Sequence, residues 1–466
     1  MNAITNVIAA VSTPPGKGGV AIIRVSGDGA FAVAEKVFRP MKKTDFSSIP
    51  ARYACYGYVL DGEEKIDDVL LTKFPAPNSY TGEDTVEIAC HGGVLVTKII
   101  LELLLISGAR AADAGEFTKR AFINGKLSLT DAEAIGTLLE SESRAQIKLS
   151  SDSSRSALNK KISEIRSALL SLVSSVYARI DYPDEDLGDF DNEELLYSLY
   201  KIRKEIHLLL STYETGKAVT QGVKTVICGK PNVGKSSFYN MLLGEDAAIV
   251  TDIEGTTRDV LVSNIPVGKV MLRLADTAGI RNGNKIDEVE QIGIEKSRDM
   301  IEKSELLFAI FDLSREFDEQ DELLLSLLSK SDAPKIAILN KADKPRLFSF
   351  NESKLNFSFD CAVETCAVGD CTDTLCEIAE IVDDLFVSER ILIGEDAIIS
   401  SARQNASLVR AFDFTDAAIS SLEAGFAQDA ASSDIERALG AISELDGRAV
   451  SEEIVADIFS KFCVGK

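Results

Sequence analysis

Tryptophan is absent from this chain of 466 residues, and histidine occurs only as His91 and His207. So few imidazoles argue against the common zinc sites that combine His with Cys at short spacing. Four of the eight cysteines recur every five residues, which is wider than usual metal pairs: Cys361, Cys366, Cys371 and Cys376. That spacing leaves a metal or cluster site open, but it favours small buried residues or loop thiols.

Long hydrophobic runs are also missing. The stretch from Val94 to Ile106 is interrupted by Lys98 and Glu102, and it is shorter than the roughly 18 apolar residues that mark a membrane span. No basic segment followed by a long apolar stretch opens the chain, and its cysteine usage fits a reducing compartment. We therefore expect a cytoplasmic protein.

Basic residues are outnumbered by acidic ones, 50 to 74, which gives a net charge of −24. Phosphate contacts need local Lys and Arg, so this balance argues against diffuse nucleic-acid binding. An RNA substrate would have to be held by a local patch or by a partner. The length allows about two to four domains with ample core.

A phosphate-binding loop is the most informative motif that is present. Residues 229–236 read Gly-Lys-Pro-Asn-Val-Gly-Lys-Ser, which matches G-x-x-x-x-G-K-[ST]. The run Thr225 to Cys228 predicts a strand before it, and Ser236 to Leu243 predicts a helix after it. We expect Lys235 to reach the β- and γ-phosphates and the Ser236 hydroxyl to ligate Mg²⁺. Taken alone, the motif could also be a tight structural turn with a solvated lysine.

Two further motifs follow in the order found in GTPases: Asp276-Thr277-Ala278-Gly279 and Asn340-Lys341-Ala342-Asp343. The second comes after the apolar run Ile336 to Leu339, which predicts a buried strand. A carboxylate at Asp343 can accept two hydrogen bonds from guanine, and adenine offers no matching donor pair. Alone this tetrapeptide could be an ordinary strand-to-turn segment, but its position after the other two motifs indicates GTP.

A glutamine that orients the attacking water is missing after the Gly279 position, where Ile280 stands. Hydrolysis then needs another charge stabiliser and another residue to position water. Residues 251–259 are the expected first switch, with a threonine available for Mg²⁺. Glu290 could position the water, although by itself it is more readily explained as a solvated helix residue.

The chain divides into four stretches: residues 1–122 with strands and glycine turns, 123–221 helical, 222–387 with the nucleotide motifs, and 388–466 helical. Apolar residues at three- and four-residue steps predict the helices. They are Ile162, Ile165, Leu169, Leu172, Val173, Val176 and Ile180, then Leu195, Leu199, Ile202, Ile206 and Leu209, and finally Ile435, Leu439, Ile442 and Leu445. The pattern allows either an α/β domain inserted into a helical domain or two independent helical flanks.

Segments outside the nucleotide motifs resemble the MnmE (TrmE) family of tRNA-modification GTPases from end to end. They are Ala9 to Val20, Ser79 to Asp84, His91-Gly92-Gly93, Gly115 to Phe122 and Phe462-Cys463-Val464-Gly465-Lys466. The resemblance implies a Ras-like α/β G domain (P-loop NTPase) inserted in an all-α helical domain, after an α+β folate-binding and dimerising domain.

The resemblance also implies a biochemical function. Such proteins form a homodimer and work with an MnmG (GidA)-like flavoprotein, in a heterotetramer, on the wobble uridine of tRNA. They install a 5-carboxymethylaminomethyl or aminomethyl group, with 5,10-methylenetetrahydrofolate or 5-formyltetrahydrofolate as one-carbon donor. GTP hydrolysis is needed, and K⁺ stimulates it when two G domains meet.

Site residues carry over position by position. The folate contacts fall on Arg24, Glu87, Lys126 and Lys466. The K⁺ site falls on Asn232, Thr251, Ile253 and Thr256, the Mg²⁺ ligands on Ser236 and Thr257, the general base on Glu290, and a terminal thiol of open role on Cys463. The GTP-binding residues are Asn232, Val233, Gly234, Lys235, Ser236, Ser237, Thr251, Asp252, Ile253, Glu254, Gly255, Thr256, Thr257, Asp276, Thr277, Ala278, Gly279, Asn340, Lys341, Ala342 and Asp343.

The chain departs from the family pattern near the end of the G domain. Cys366-Ala367-Val368 stands where a base-contacting Ser-Ala-Lys is usual, so guanine contacts there are open. Two other functions remain: a regulatory or ribosome-assembly GTPase without modification chemistry, and a folate-binding scaffold whose G domain only gates partner assembly. Folate binding would distinguish the regulatory or ribosome-assembly GTPase, which lacks it, from the modification GTPase and the scaffold, which share it.

Overall fold

The structure, a computed structural model, describes residues 7–42, 45–181, 192–243, 263–274, 300–350, 355, 357–366 and 371–465. The chain folds into two compact units, one made of residues up to 139 together with those from 442, and the other of residues 140–441. Among the described residues no helix is both long and apolar enough to cross a membrane. The domain boundaries predicted at residues 122, 221 and 387 remain predictions.

The first unit is built on a seven-stranded sheet with the order β3-β4-β5-β6-β2-β1-β7. Its strands are β1 (Ile8–Val11), β2 (Gly18–Ser26), β3 (Phe38–Pro40), β4 (Cys55–Asp61), β5 (Glu64–Phe74), β6 (Thr85–Gly92) and β7 (Arg110–Ala111). Its helices before residue 140 are α1 (Ala30–Val37), α2 (Val94–Ile106), α3 (Glu116–Ile123) and α4 (Leu129–Leu139). Alternate residues of β2 and β6 are buried with α1 and α2, which makes an α+β core on one face of the sheet.

Six strands form the sheet of the second unit, in the order β13-β12-β11-β8-β10-β9. They are β8 (Val223–Cys228), β9 (Ser263–Val267), β10 (Val270–Leu274), β11 (Leu306–Asp312), β12 (Lys335–Asn340) and β13 (Cys361–Thr365). All neighbours pair in parallel except β9 and β10. The predicted strand before the phosphate loop and the predicted buried strand after residue 335 are both confirmed.

The remaining helices of the described chain follow residue 140. They are α5 (Arg144–Leu149), α6 (Asp152–Asp181), α7 (Asn192–Leu210), α8 (Tyr213–Thr220), α9 (Lys235–Leu243), α10 (Glu319–Leu328), α11 (Thr372–Phe386), α12 (Ala402–Glu423), α13 (Gln428–Asp446) and α14 (Glu452–Ser460). Helix α13 runs across residue 441, where the second unit ends, and α14 belongs to the first unit. An α/β domain thus lies in sequence between helical stretches, which agrees with the predicted fold class.

The predicted apolar stripes form the helix contacts. Leu195, Leu199 and Ile206 of α7 are fully or almost fully buried, as are Leu169 and Val176 of α6. Arg203 of α7 pairs with Asp416 of α12, which joins the two helical stretches within the second unit. The 3.6-residue period therefore predicted both the helices and the faces that they bury.

Candidate functional site

The carboxyl edge of the six-stranded sheet gathers the nucleotide motifs. The phosphate loop follows β8, Asn340 ends β12, and α9 begins at Lys235. Asn232 takes a positive φ of 63° and Gly234 one of 104°, which bend the loop before the helix. Parallel strands present their carboxyl ends at one edge, so motifs far apart in sequence meet there.

Lys235 closes the loop on itself. Its Nζ donates to the carbonyl oxygens of Gly229 at 2.7 Å and Lys230 at 2.9 Å. Burial lowers the pKa of the Lys235 ammonium, because a charged group loses solvation there. Behind the loop, burial raises the pKa of the Cys228 thiol to about 12, so this thiol stays protonated and unreactive at neutral pH.

Asn340 and Lys341 fasten the second motif to the first. The Asn340 side-chain amide donates to the Val233 carbonyl oxygen at 2.7 Å, and Lys341 Nζ donates to the Asn232 carbonyl oxygen at 2.9 Å. A Cβ placed on Gly234 would lie 2.1 Å from Asn340 Nδ2, so glycine is required at this close approach. The two motifs therefore form one connected structure.

Asp312, at the end of β11, is a site residue that the sequence analysis missed. Its carboxylate is fully buried, pairs with Lys341 Nζ, and accepts hydrogen bonds from the Ser314 backbone at 2.9 Å and hydroxyl at 2.6 Å. Burial would raise the pKa of Asp312, but the bonds from Lys341 and Ser314 outweigh it and lower the pKa. A signal existed, since Asp312 ends a fully apolar strand at the same edge as Asn340.

The remaining described residues of the nucleotide motifs lie around this connection. Ser236 is exposed in the first turn of α9, and Asp343 is exposed beyond the end of β12. The Ala342 backbone amide donates to the Thr365 carbonyl oxygen at 3.2 Å, which places the residue before Cys366 beside the base-specificity motif. Ala367 and Val368 lie outside the described residues.

Several predicted site residues also lie outside the described residues. They are Thr251, Asp252, Ile253, Glu254, Gly255, Thr256 and Thr257 of the first switch, Asp276, Thr277, Ala278 and Gly279 with the adjacent Ile280, the predicted base Glu290, and Lys466. The roles given to them stay predictions.

A second predicted site, in the first unit, centres on Arg24 and Glu87. These residues face each other across β2 and β6, and Arg24 Nε and Nη2 lie 3.0 and 2.9 Å from Glu87 Oε1. The guanidinium carbon also lies 5.2 Å from the centre of the Tyr80 ring and 5.6 Å from that of Phe117. Both aromatic residues lie in segments that resemble the family, but no role was predicted for them.

Residues near the end of the chain complete the surroundings of Arg24. Arg24 Nη1 donates to the Gly465 carbonyl oxygen at 3.5 Å, and Val464 bridges to Ala114. Gly465 has a φ of 97°, and a Cβ there would lie 2.4 Å from the Val11 carbonyl oxygen and 2.8 Å from Ser12 Cα. Within the described part of the chain, Ser12 Oγ is buried with no hydrogen-bond partner.

Lys126 stands apart from the Arg24–Glu87 pair. Its Nζ donates to the Pro77 carbonyl oxygen at 3.0 Å, while its Cγ would lie 3.2 Å from a Cβ on Gly82. Lys126 is thus beside the loop that carries Tyr80 but bonds to neither member of the pair in the described structure. Cys463 is exposed next to this site, and its carbonyl oxygen accepts from the Gly115 amide at 3.5 Å.

The four regularly spaced cysteines differ in their exposure to solvent. Cys361, Cys366 and Cys371 are half-buried, and Cys376 is exposed on α11. Over the ranges that the structure describes, no group of three or more His, Cys, Asp or Glu residues is arranged to hold a metal ion.

Comparison with known proteins gives matches over almost the whole chain. Residues 7–126 match the family described as GTP-binding protein TrmE N-terminus, and residues 129–463 match the MnmE helical domain. The protein named tRNA modification GTPase MnmE from Acetivibrio thermocellus is 38% identical over 461 residues, covering 98% of this chain and 99% of that protein. Proteins of the same name from Carboxydothermus hydrogenoformans and Thermotoga sp. strain RQ2 are 37% and 39% identical, each with 98% of this chain and 99% of the relative covered.

Proposed function

The chain belongs to the MnmE family of tRNA modification GTPases, and we propose that it is a K⁺-dependent GTPase that helps to modify the wobble uridine of tRNA. The observation that carries the nucleotide part is the bonding of Asn340 and Lys341 to the phosphate loop. Those bonds make the base-specificity motif and the phosphate motif a single site, as a guanine nucleotide spanning both would require.

Roles at the nucleotide site follow from chemistry and position. Lys235 leaves the loop carbonyls to bind the β- and γ-phosphates, and the loop amides with the N-terminus of α9 favour the same negative charge. Asp343 is exposed at the carboxyl edge of the sheet, where its carboxylate can accept from guanine. Glu290 serves as the general base, because Ile280 cannot orient the attacking water.

The donor set fits two cations. The Ser236 hydroxyl, in the first turn of α9 beside Lys235, and Thr257 would hold Mg²⁺, which prefers oxygen ligands. Asn232, exposed at the bend of the loop, would hold K⁺ with Thr251, Ile253 and Thr256. When bound, K⁺ supplies the positive charge that an arginine finger supplies in other GTPases.

The surroundings of Arg24 fit a tetrahydrofolate derivative, which supplies a one-carbon unit when bound. Arg24 offers a cation over two aromatic rings, Glu87 offers an acceptor for ring donors, and the buried Ser12 Oγ has no partner among the residues that the structure describes. Because Arg24 and Glu87 now bind each other, a ligand carboxylate would have to share Arg24 with Glu87. Lys126 and Lys466 are the further proposed contacts.

Partners complete the proposal. We place the protein in the cytoplasm as a homodimer that joins an MnmG-like flavoprotein in a heterotetramer and acts on tRNA to form the 5-carboxymethylaminomethyl or aminomethyl group. With a net charge of −24, this chain is poorly suited to neutralise many tRNA phosphates. The flavoprotein would therefore make most of the phosphate contacts.

Mass spectrometry of wobble uridines tests the proposal. Cells that lack this protein should lose the modified nucleoside and regain it with the wild type. They should not regain it with Glu290→Ala, which binds GTP but hydrolyses it slowly. Unchanged wobble uridines in the deletion strain would favour a regulatory or ribosome-assembly GTPase. Full rescue by a variant shown to be inactive in hydrolysis would favour a folate-binding scaffold.

A further inference from the structure

Lys230, the second residue of the phosphate loop, has a buried side chain that points away from the loop. Its side chain is only 6% exposed, and Nζ lies 2.5 Å from Asp321 Oδ2 and 2.9 Å from Asp318 Oδ2. Both carboxylates belong to the start of α10, where Asp318 is the N-cap residue. A loop residue that the phosphate motif leaves unspecified is therefore anchored to a neighbouring helix.

The same two carboxylates also cap α10. Asp318 Oδ1 accepts from the Gln320 amide at 3.0 Å and the Asp321 amide at 3.3 Å, and Asp321 Oδ2 accepts from the Asp318 amide at 3.2 Å. Asp321 is 3% exposed, and a buried carboxylate needs a cation or several hydrogen bonds to remain charged. Lys230 supplies that cation, so the cap and the ion pair depend on each other.

Through its backbone, Lys230 contacts the lysine that is expected to bind phosphate. The Lys230 carbonyl oxygen accepts from Lys235 Nζ at 2.9 Å. Burial acts to lower the pKa of the Lys230 ammonium, but the bonds that it donates to Asp321 and Asp318 outweigh burial and leave that pKa raised. The anchor therefore stays charged at neutral pH while it holds the peptide unit that faces Lys235.

We propose that Lys230 is a positioning residue of the GTPase reaction, because its ion pair with Asp318 and Asp321 fixes the phosphate loop against α10 in the shape that binds nucleotide phosphates. Lys230 does not touch the nucleotide in this role. Asn340 and Lys341 also tether the loop, through the carbonyl oxygens of Val233 and Asn232. The proposal rests on the nucleotide site proposed above. Loss of the Lys230 ion pair should weaken binding of the nucleotide phosphates and leave binding of the base unchanged.

The test compares Lys230→Met, which keeps the length of the side chain, with Lys230→Arg, which keeps its charge. We expect Lys230→Met to weaken GDP binding and raise KM for GTP about tenfold, with kcat within about twofold, because loop order contributes to ground and transition states alike. Lys230→Arg should recover most of the affinity. The control is Lys161→Met, which breaks the α6–α7 ion pair with Glu205 and should leave GDP binding unchanged.

A guanosine binding assay and the variant Asp318→Asn distinguish a specific loss of phosphate binding from a general loss of folding. Guanosine, which has no phosphate, should bind Lys230→Met and the wild type equally in a competition assay. Asp318 is half-exposed, so Asp318→Asn should fold and weaken GDP about two- to threefold by removing one of the two lysine bonds. A Lys230→Met protein with unchanged GDP affinity, or one that loses guanosine and GDP equally, would overturn the proposal. A wild type that fails to bind GDP would instead refute the nucleotide site itself.

Discussion

The side-chain amide of Asn340 donates a hydrogen bond of 2.7 Å to the carbonyl oxygen of Val233, although 107 residues separate them in sequence. Asn340 is only 2% exposed, so the bond is shielded from water and contributes more than a surface bond would. It fixes the distance between the loop for phosphates and the motif for the base. The bond therefore holds the two ends of the proposed guanine nucleotide site in register with each other.

Base choice should follow Asp343. Asp343→Asn should weaken GTP binding by at least about tenfold and favour xanthosine triphosphate, whose 2-oxo group needs a donor in place of a carboxylate. Competition between the two nucleotides measures the switch. Asp332→Asn, an exposed acid before β12, should bind GTP normally. GTP affinity that is the same in Asp343→Asn and the wild type would refute the assignment.

Asp312 should make stability depend on acid pH. Its pKa is lowered in the fold, so its contribution is complete above the ordinary aspartate pKa of about 4 and is lost as the pH falls through the lower folded pKa. Asp312→Asn should cost about 2 kcal/mol of unfolding free energy at neutral pH, and the difference from the wild type should narrow in acid. Calorimetry of both proteins from neutral to acid pH measures this difference in unfolding free energy. A difference that does not change with pH would contradict the explanation.

Folate binding should depend on Arg24. Arg24→Ala should lose measurable heat of binding for 5-formyltetrahydrofolate, and removal of Gly465 and Lys466 should do the same, because Gly465 contacts Arg24. The control is Arg39→Ala, on β3 at the edge of the same sheet, which should bind normally. If both altered proteins bound the folate as well as the wild type does, the site would be wrong.

Hydrolysis should need K⁺ and Glu290. Turnover of the wild type should rise steeply in K⁺ relative to Na⁺ and with protein concentration, if two G domains must pair. Asn232→Ala should lose the K⁺ response, and Glu290→Ala should bind GTP normally but turn it over about a hundredfold or more slowly, since a general base acts only in the transition state. Equal turnover rates in K⁺ and Na⁺ would rule out the K⁺ site, and a fully active Glu290→Ala variant would rule out Glu290 as the general base.

Periodicity and motifs predicted the parts of the fold that depend on local sequence. The helix predicted from Ser236 to Leu243 is α9, and Phe238, Met241 and Leu242 are buried on it, because a helix repeats every 3.6 residues whatever it packs against. The sequence could not show that Lys341 would be held by Asp312 or Lys230 by Asp321. Those pairs depend on which strand ends and helix starts the sheet brings together, and charged residues in loops are usually solvated.

The folate residues illustrate the same limit. Arg24 and Glu87 were assigned by resemblance alone, and their pairing comes from the register of β2 against β6. A shift of that register by one residue would turn one of them to the other face of the sheet. Tyr80 and Phe117 approach Arg24 from separate segments, and nothing local in either segment predicts such a contact.

The first unit is made of two distant chain segments, and the packing of residues 442–465 against the earlier one has a consequence for biosynthesis. The ribosome makes the strands of that unit first, and it makes residues 140–441 before the segment that bridges to Ala114 and reaches Arg24. At typical translation rates this interval lasts about 15 to 60 s. During that time the faces of Phe122 and Leu129 that later contact Phe459 and Gly447 are uncovered. Chaperones should therefore bind the nascent chain until residues 442–465 emerge from the ribosome. Ribosome profiling of chaperone-bound nascent chains should detect this binding.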